Sequence, residues 1–409
     1  MQRRAFLKTG AAASLGIAIG GCATGAGSRG TLRSSALRLV PPAVSWDRII
    51  RTTVGLRPFR ESGFRLEAER LDDRTVIHNY GHGGAGMSLS WGTGRMAADL
   101  ALDHTERRAA VIGCGIVGLT SARQLQRRGF DVTLYAAALP PETTSNMSFA
   151  GFTPTSGLVS PERLTPEWEA LFRRAVEIAY REHQLLVGRG YGVSWMDHFT
   201  ATDDPAGGRR GAFGAGTRLD AGAGVDLGRV VLEPGEHPFG TRYAARQPVL
   251  RFEPSIYLDA LMKDVLAFGG RIVVRSFDTP KDLAALPEPV IVNCTGLGSK
   301  ELFGDEELNP VKGQLVVLVP QPEIDYSAGG MLPRSDGIVL GHVSEPGVWS
   351  LDVNEDEKRR VVETHLALFA SMRWPEEGAR RAAPGPRTAG TSVPPAQPPP
   401  VESFFDLVS

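Results

Sequence analysis

Arg108-Ala109-Ala110-Val111-Ile112-Gly113-Cys114-Gly115-Ile116-Val117-Gly118 is the stretch on which the fold turns. Residues 108–112 make a continuous apolar run, the mark of a parallel strand buried on both faces. The run opens directly into three glycines spaced GxGxxG. An amphipathic helix continues to about Arg128, Gly129 caps it, and Asp131-Val132-Thr133-Leu134-Tyr135 reads as the second strand. In this strand–turn–helix setting Gly113 allows the tight turn and Gly115 lets the backbone approach a pyrophosphate. Gly118 lets helix and strand pack closely. The helix N-terminus at Ile116 and Val117 faces the phosphates. The competing reading is a tight turn without a ligand. A carboxylate normally ends the second strand to hold the ribose, yet the chain here reads Tyr135-Ala136-Ala137-Ala138. Ribose recognition must be weaker or come from elsewhere.

Outward from this unit, the 409 residues are 42% hydrophobic, enough for a substantial core and for two or three domains. The formal net charge is -1 and no strongly basic patch stands out, which argues against nucleic acid as a partner. Cys22, Cys114 and Cys294 lie in separate motifs and suggest neither a disulfide framework nor a CxxC metal site. Arg3-Arg4-Ala5-Phe6-Leu7-Lys8, with the apolar stretch Ala11–Gly21, reads as a twin-arginine export signal. The stretch is too short to span a bilayer. Ile19-Gly20-Gly21-Cys22 resembles a lipoprotein processing site, with Cys22 as the lipidated residue; ordinary cleavage a few residues later is the alternative. Export by this route carries folded proteins, often around a cofactor, to the periplasm or cell envelope.

Residues 1–22 are therefore expected to be leader and 23–45 a polar tether. Strands are expected over 46–90 and a helix from about Arg95 to Asp103. Residues 165–188 are helical by periodicity, and further helices fit 257–268 and 354–373. Strand-like runs recur at 229–232, 271–275, 290–293, 314–319 and 337–342. The Gly-rich stretch 201–224 reads as an irregular loop and Pro375–Val401 as a disordered tail within 375–409.

Several further motifs converge. Glu142-Thr143-Thr144-Ser145-Asn146 places hydroxyls after the second strand, and Ala150-Gly151-Phe152-Thr153-Pro154 follows it. Val292-Asn293-Cys294-Thr295-Gly296-Leu297-Gly298 ends a strand in a Gly turn, and Val311-Lys312-Gly313-Gln314 enters another strand. Most specific is Gly55-Leu56-Arg57-Pro58 followed by Thr75-Val76-Ile77-His78-Asn79-Tyr80-Gly81-His82-Gly83-Gly84-Ala85-Gly86-Met87-Ser88. Together these resemble the D-amino-acid oxidase and D-aspartate oxidase family over most of 46–374. In that family the nucleotide motif opens the chain and the GLRP…HNYGHGG segment closes it. Here the closing segment comes first, an order that reads as a circular permutation.

The resemblance implies an α/β protein with a Rossmann-type FAD-binding domain and an antiparallel-sheet substrate domain. Residues 46–104 would be a permuted segment serving the substrate domain and the flavin loop. Residues 105–160 would form the core of the FAD domain. Residues 161–374 would form the substrate domain, interleaved with FAD-domain strands at about 290–300. FAD would be held by Gly113, Gly115, Ile116, Val117, Gly118, Thr143, Thr144, Ser145, Thr295 and Gly296. Gly83, Gly84, Gly86, Met87 and Ser88 would complete its site.

By the same resemblance Arg57 would grip the carboxylate of an amino-acid substrate, a role that suits a planar two-point donor. A structural arginine is the alternative. Tyr326 matches one of the family's two active-site tyrosines as a carboxylate or lid contact, against a plain core tyrosine; the second would fall at Gly330. No metal is expected, because His78, Tyr80 and His82 lack acidic or cysteine ligands beside them. The implied reaction is oxidation of a D-amino acid to an imino acid, then a keto acid and ammonia, with oxygen reduced to peroxide. Two readings compete: a dehydrogenase of the same fold serving a membrane electron acceptor, and a non-catalytic flavoprotein. Peroxide formation separates the first, and failure of any D-amino acid to bleach the flavin would favour the second.

Overall fold

The computed structural model describes residues 37–204, 228–341 and 343–373. The expected leader with Cys22, most of the Gly-rich loop and the Pro-rich tail lie outside the described residues. In chain order the elements are β1 (Ile49–Arg60), β2 (Arg65–Leu71), β3 (Arg74–Tyr80), α1 (Gly86–Ala101), β4 (Arg108–Ile112), α2 (Ile116–Gln126), β5 (Asp131–Ala136) and α3 (Pro166–Leu186). Then come β6 (Val193–Thr202), β7 (Val230–Leu232), β8 (Tyr243–Phe252), α4 (Pro254–Ala267), β9 (Arg271–Val274), α5 (Pro280–Ala284), β10 (Val290–Asn293) and α6 (Gly298–Phe303). The chain continues through β11 (Leu308–Leu318), β12 (Tyr326–Ala328), β13 (Met331–Arg334), β14 (Gly337–Leu340), β15 (Glu345–Pro346) and α7 (Glu355–Ala370).

Among the described residues the strands form two sheets. The first has six strands in the order β2-β3-β10-β4-β5-β9, parallel except for β2 against β3. Its apolar strands alternate their side chains between two covered faces. Val111, Leu134 and Val292 pack beneath α1, α2 and α4 with Trp91, Leu119 and Tyr257. Ala110, Ile112 and Ile291 face the other way, against Leu283, Leu286 and Leu302. A strand buried on both sides has no polar positions, which is why β4 reads as unbroken apolar sequence.

The second sheet has nine strands, ordered β1-β11-β14-β13-β12-β6-β8-β7 with β15 also on β11. It is antiparallel except where β12 meets β6. Helix α7 covers one face through Val361, Val362 and Phe369 against Val316, Leu318 and Leu340. The architecture is the expected mixed α/β pair of sheets. Residues 46–104 serve both: β1 lies along β11 from Ile49↔Leu318 to Arg60↔Leu308, while β2 and β3 extend the parallel sheet.

Two expectations need correction. Residues 37–45, read as the end of a tether, belong to the fold. Leu39 and Val44 are buried, and Ala43 exchanges hydrogen bonds with the Gln321 side chain at 2.7 and 3.1 Å. Helix α1 begins at Gly86, nine residues ahead of the expected Arg95. Its glycines signal close helix contact: a Cβ on Gly92 would stand 2.0 Å from the Ala175 carbonyl oxygen of α3, and one on Gly94 3.0 Å from the Ser121 nitrogen of α2.

Candidate active site

A cavity of about 930 Å³ runs from the carboxyl ends of β4, β5 and β10 to the β1–β11 pair. At its nucleotide end Gly113 adopts φ +109°, and a Cβ there would lie 2.5 Å from the Cys294 carbonyl oxygen. Only glycine turns the chain so tightly from β4 into α2. Gly115, Ile116 and Val117 line the cavity at the helix N-terminus, where Ile116 N–H donates to Ser145 Oγ at 3.0 Å. Thr143, Thr144 and Ser145 line it from the loop after β5. From the end of β10, Asn293 Oδ1 accepts from Thr295 N–H at 3.1 Å and Thr295 Oγ1 at 2.8 Å, holding Thr295 and Gly296 at the wall. Gly83, Gly84, Gly86 and Met87 close the opposite side. The two chain segments meet: a Cβ on Gly86 would sit 3.8 Å from Ile116 Cγ2.

Gly118 and Ser88 stand behind this lining instead of in it. A Cβ on Gly118 would fall 1.9 Å from the Gly113 carbonyl oxygen, so this glycine serves helix–turn packing. Ser88 Oγ accepts from Thr153 N–H at 2.7 Å and anchors the neighbouring loop. Burial pushes the thiols of Cys114 and Cys294 up to about 12, leaving both protonated and unsuited to nucleophilic work.

On the β1–β11 wall Arg57 reaches across Gly313. Its Nη2 donates to the Val343 carbonyl at 2.7 Å and its Nη1 lies 3.4 Å from Ser344 Oγ. Among the described residues it has no carboxylate partner, and burial lowers its pKa. A partly desolvated guanidinium facing a cavity without a counter-charge is a receptor for an anion.

Tyr326 requires correction. It is 2% exposed and absent from the cavity lining; its hydroxyl donates to the Val40 carbonyl at 2.9 Å, within the core beneath α7. That position suits a core tyrosine, not a carboxylate contact. His78 likewise faces away from the cavity, with Nε2 2.9 Å from Glu69, whereas Tyr80 and His82 line it. Arg275, Ser276 and Phe277 at the second-strand end were not anticipated. Arg275 N–H donates to the Ala136 carbonyl at 2.9 Å, and its guanidinium lies over the Phe277 ring, 4.6 Å from its centre. An arginine following the third parallel neighbour of the GxGxxG unit was the available signal.

A family model described as FAD dependent oxidoreductase matches residues 17–100 and 108–401. The chain belongs to this family of FAD-dependent oxidoreductases. A D-amino-acid oxidase from Streptomyces coelicolor is 30% identical over 65% of this chain and 79% of its own. D-aspartate oxidase from Homo sapiens is 25% identical over 65% of this chain and 76% of its own. Among solved structures, glycine oxidase from Geobacillus kaustophilus aligns with a TM-score of 0.46 at 17% identity, over 66% of this chain and 81% of that one.

The residues fit the flavin. The cavity, about 930 Å³, is large enough for a dinucleotide, with a helix N-terminus and the hydroxyls of Thr143, Thr144 and Ser145 in its lining. Gly83, Gly84 and Gly86 line the side facing that helix N-terminus, and Glu142 is the one carboxylate in the described lining.

Proposed function

We propose that this FAD-dependent oxidoreductase oxidises the C–N bond of a D-amino acid and passes the electrons to oxygen. The observation that carries the reading is Arg57: a cation without an ion-pair partner among the described residues, on the β1–β11 wall of the cavity that the GxGxxG turn also lines. The names of the relatives support the amino-acid class and its D configuration.

When bound, FAD supplies the two-electron acceptance. The chain's own part is to bind, orient and exclude water. Arg57 holds the substrate carboxylate at two points, while Val343 and Ser344 hold Arg57. The substrate loses its Cα–H and one amine N–H as two electrons and two protons, leaving an imino acid. Water then adds across the C=N bond and releases ammonia and a keto acid. Oxygen takes up two electrons and two protons as hydrogen peroxide. His82, the imidazole among the described lining residues, is kept neutral by burial, which pushes its pKa down to about 3. This mechanism asks no side-chain acid or base of the protein.

The test is flavin bleaching without oxygen, followed by peroxide measurement with oxygen. A D-amino acid should bleach the flavin, and Arg57→Ala should lower kcat/KM by roughly 100- to 5000-fold, the cost of one partner of a desolvated ion pair. Arg57→Lys should recover part of this, and both variants should retain FAD. Near wild-type kcat/KM in Arg57→Ala would remove the arginine from the site.

The leader motif favours a second reading, in which the electrons go to a membrane acceptor. Arg3-Arg4 and Cys22 support export by the twin-arginine route and a lipid anchor in the cell envelope. Reduction of an artificial acceptor without peroxide would select that reading. The order of motifs along the chain supports descent by circular permutation.

A further inference from the structure

We infer that the substrate's side chain is neutral and apolar, and that Phe149 and Leu315 impose this choice. The inference rests on the amino-acid reading above and narrows it. Successive residues of a strand face opposite ways, so Gly313 and Leu315 share one face of β11, roughly 7 Å apart. The Arg57 guanidinium lies over Gly313, with Nη2 2.5 Å from where a Cβ would be. One step along that face, Leu315 meets Phe149 above Gly341: a Cβ on Gly341 would stand 2.9 Å from Phe149 Cδ2 and 3.1 Å from Leu315 Cδ2. Both side chains line the cavity. An amino acid whose carboxylate is fixed at Arg57 is about the right length to place its side chain in this apolar corner.

Among the described residues a second carboxylate finds no cation there. Among the described lining residues the only other cation is Arg275, whose backbone is tied to Ala136 at the nucleotide end. The described basic neighbours of the substrate end are already paired and lie outside the lining. Lys312 Nζ is 3.6 Å from Glu345, Arg60 is 2.9 Å from both Asp305 and Glu307, and Arg334 is 2.8 Å from Asp336. His82 stays uncharged. An acidic side chain would therefore be desolvated without compensation, and a glycine would leave the corner empty.

The experiment measures kcat/KM on the FAD-loaded protein for D-leucine, D-methionine, D-phenylalanine, D-aspartate, D-glutamate, glycine and the L-enantiomers. The neutral D-amino acids should exceed D-aspartate by at least about 100-fold. Leu315→Arg should narrow that ratio at least about tenfold by supplying the missing charge. Phe149→Leu, which keeps an apolar core, should shift preference toward bulkier side chains mainly through KM, with flavin content unchanged. D-aspartate equal to or better than D-leucine would overturn the inference, as would ratios that neither variant moves. If only L-amino acids turn over, the D assignment fails, while the ratio of L-leucine to L-aspartate still decides the corner.

Discussion

His82 and His183 are held as neutral imidazoles in the interior, and each is satisfied in that form. His82 Nε2 lies 3.0 Å from Thr93 Oγ1, with its ring stacked on Phe64 at 5.4 Å between centres. His183 Nδ1 faces the Tyr257 hydroxyl at 3.3 Å and its Nε2 the Ser88 carbonyl at 3.3 Å, while Trp91 donates to the same Tyr257 oxygen at 2.7 Å. Burial pushes the two pKa values down to about 3 and about 4. In the unfolded chain both return to about 6.5, so the unfolded state binds more protons below that pH. Their contribution to stability is complete above about pH 6.5 and is lost as pH falls toward the folded values. Urea unfolding at pH 7, 6 and 5 should show stability falling by on the order of 2–4 kcal/mol, at most 1.4 kcal/mol per pH unit for each histidine. A flat profile over that interval would mean that both rings titrate in the fold as they do in the unfolded chain, and so are not held neutral by burial. At this scale the sequence is least informative. Residue type identified Arg57, but its acceptor at Val343 lies 286 positions away; Tyr326 carried a suitable side chain on a strand whose facing no local pattern discloses.

Helix α1 shows how an element's composition can mislead when contact decides it. Gly86, Gly92 and Gly94 are poor helix formers, each costing about 1 kcal/mol against alanine in an exposed helix, and together they read as loop. Here the missing side chains let α1 approach α2 and α3 to backbone distance, and the packing gained outweighs the propensity lost. Gly92→Ala should therefore destabilise the protein, by about 1–3 kcal/mol or more, although it improves intrinsic helicity. Chemical denaturation measures this, and an unchanged or higher midpoint would show that α1 and α3 can move apart freely. Elements set by local pattern were legible: β4, α2, β5, α3 and α7 stand where periodicity puts them. Strands β6, β8, β12 and β13 were not, because they alternate imperfectly and gain their definition from partners far along the chain.

At the scale of the whole molecule, two sheets share one cavity, and each of its ends is assembled from distant segments. The nucleotide end could be read because one short motif encodes both a turn and its ligand. The substrate end depended on a resemblance, and its apolar corner joins Phe149, Leu315 and Gly341 through contacts that no single stretch records. If the leader proposal holds, Cys22→Ser should move the protein from the membrane fraction to the soluble envelope fraction without altering its flavin content. Unprocessed protein remaining in the cytoplasm would defeat it. The pairing of β1 with β11 also bears on how the molecule is made. A ribosome releases β1 early, with its hydrogen-bonding edge complete, yet the strand that covers that edge begins at Leu308, about 250 residues later. The parallel neighbour of β3, β10, begins only at Val290. For most of its synthesis the nascent chain therefore carries the arginine strand as an open edge, the feature most apt to recruit another chain. Chains stalled or cleaved before residue 308 are thus expected to aggregate, and this strand must stay shielded until β11 is made.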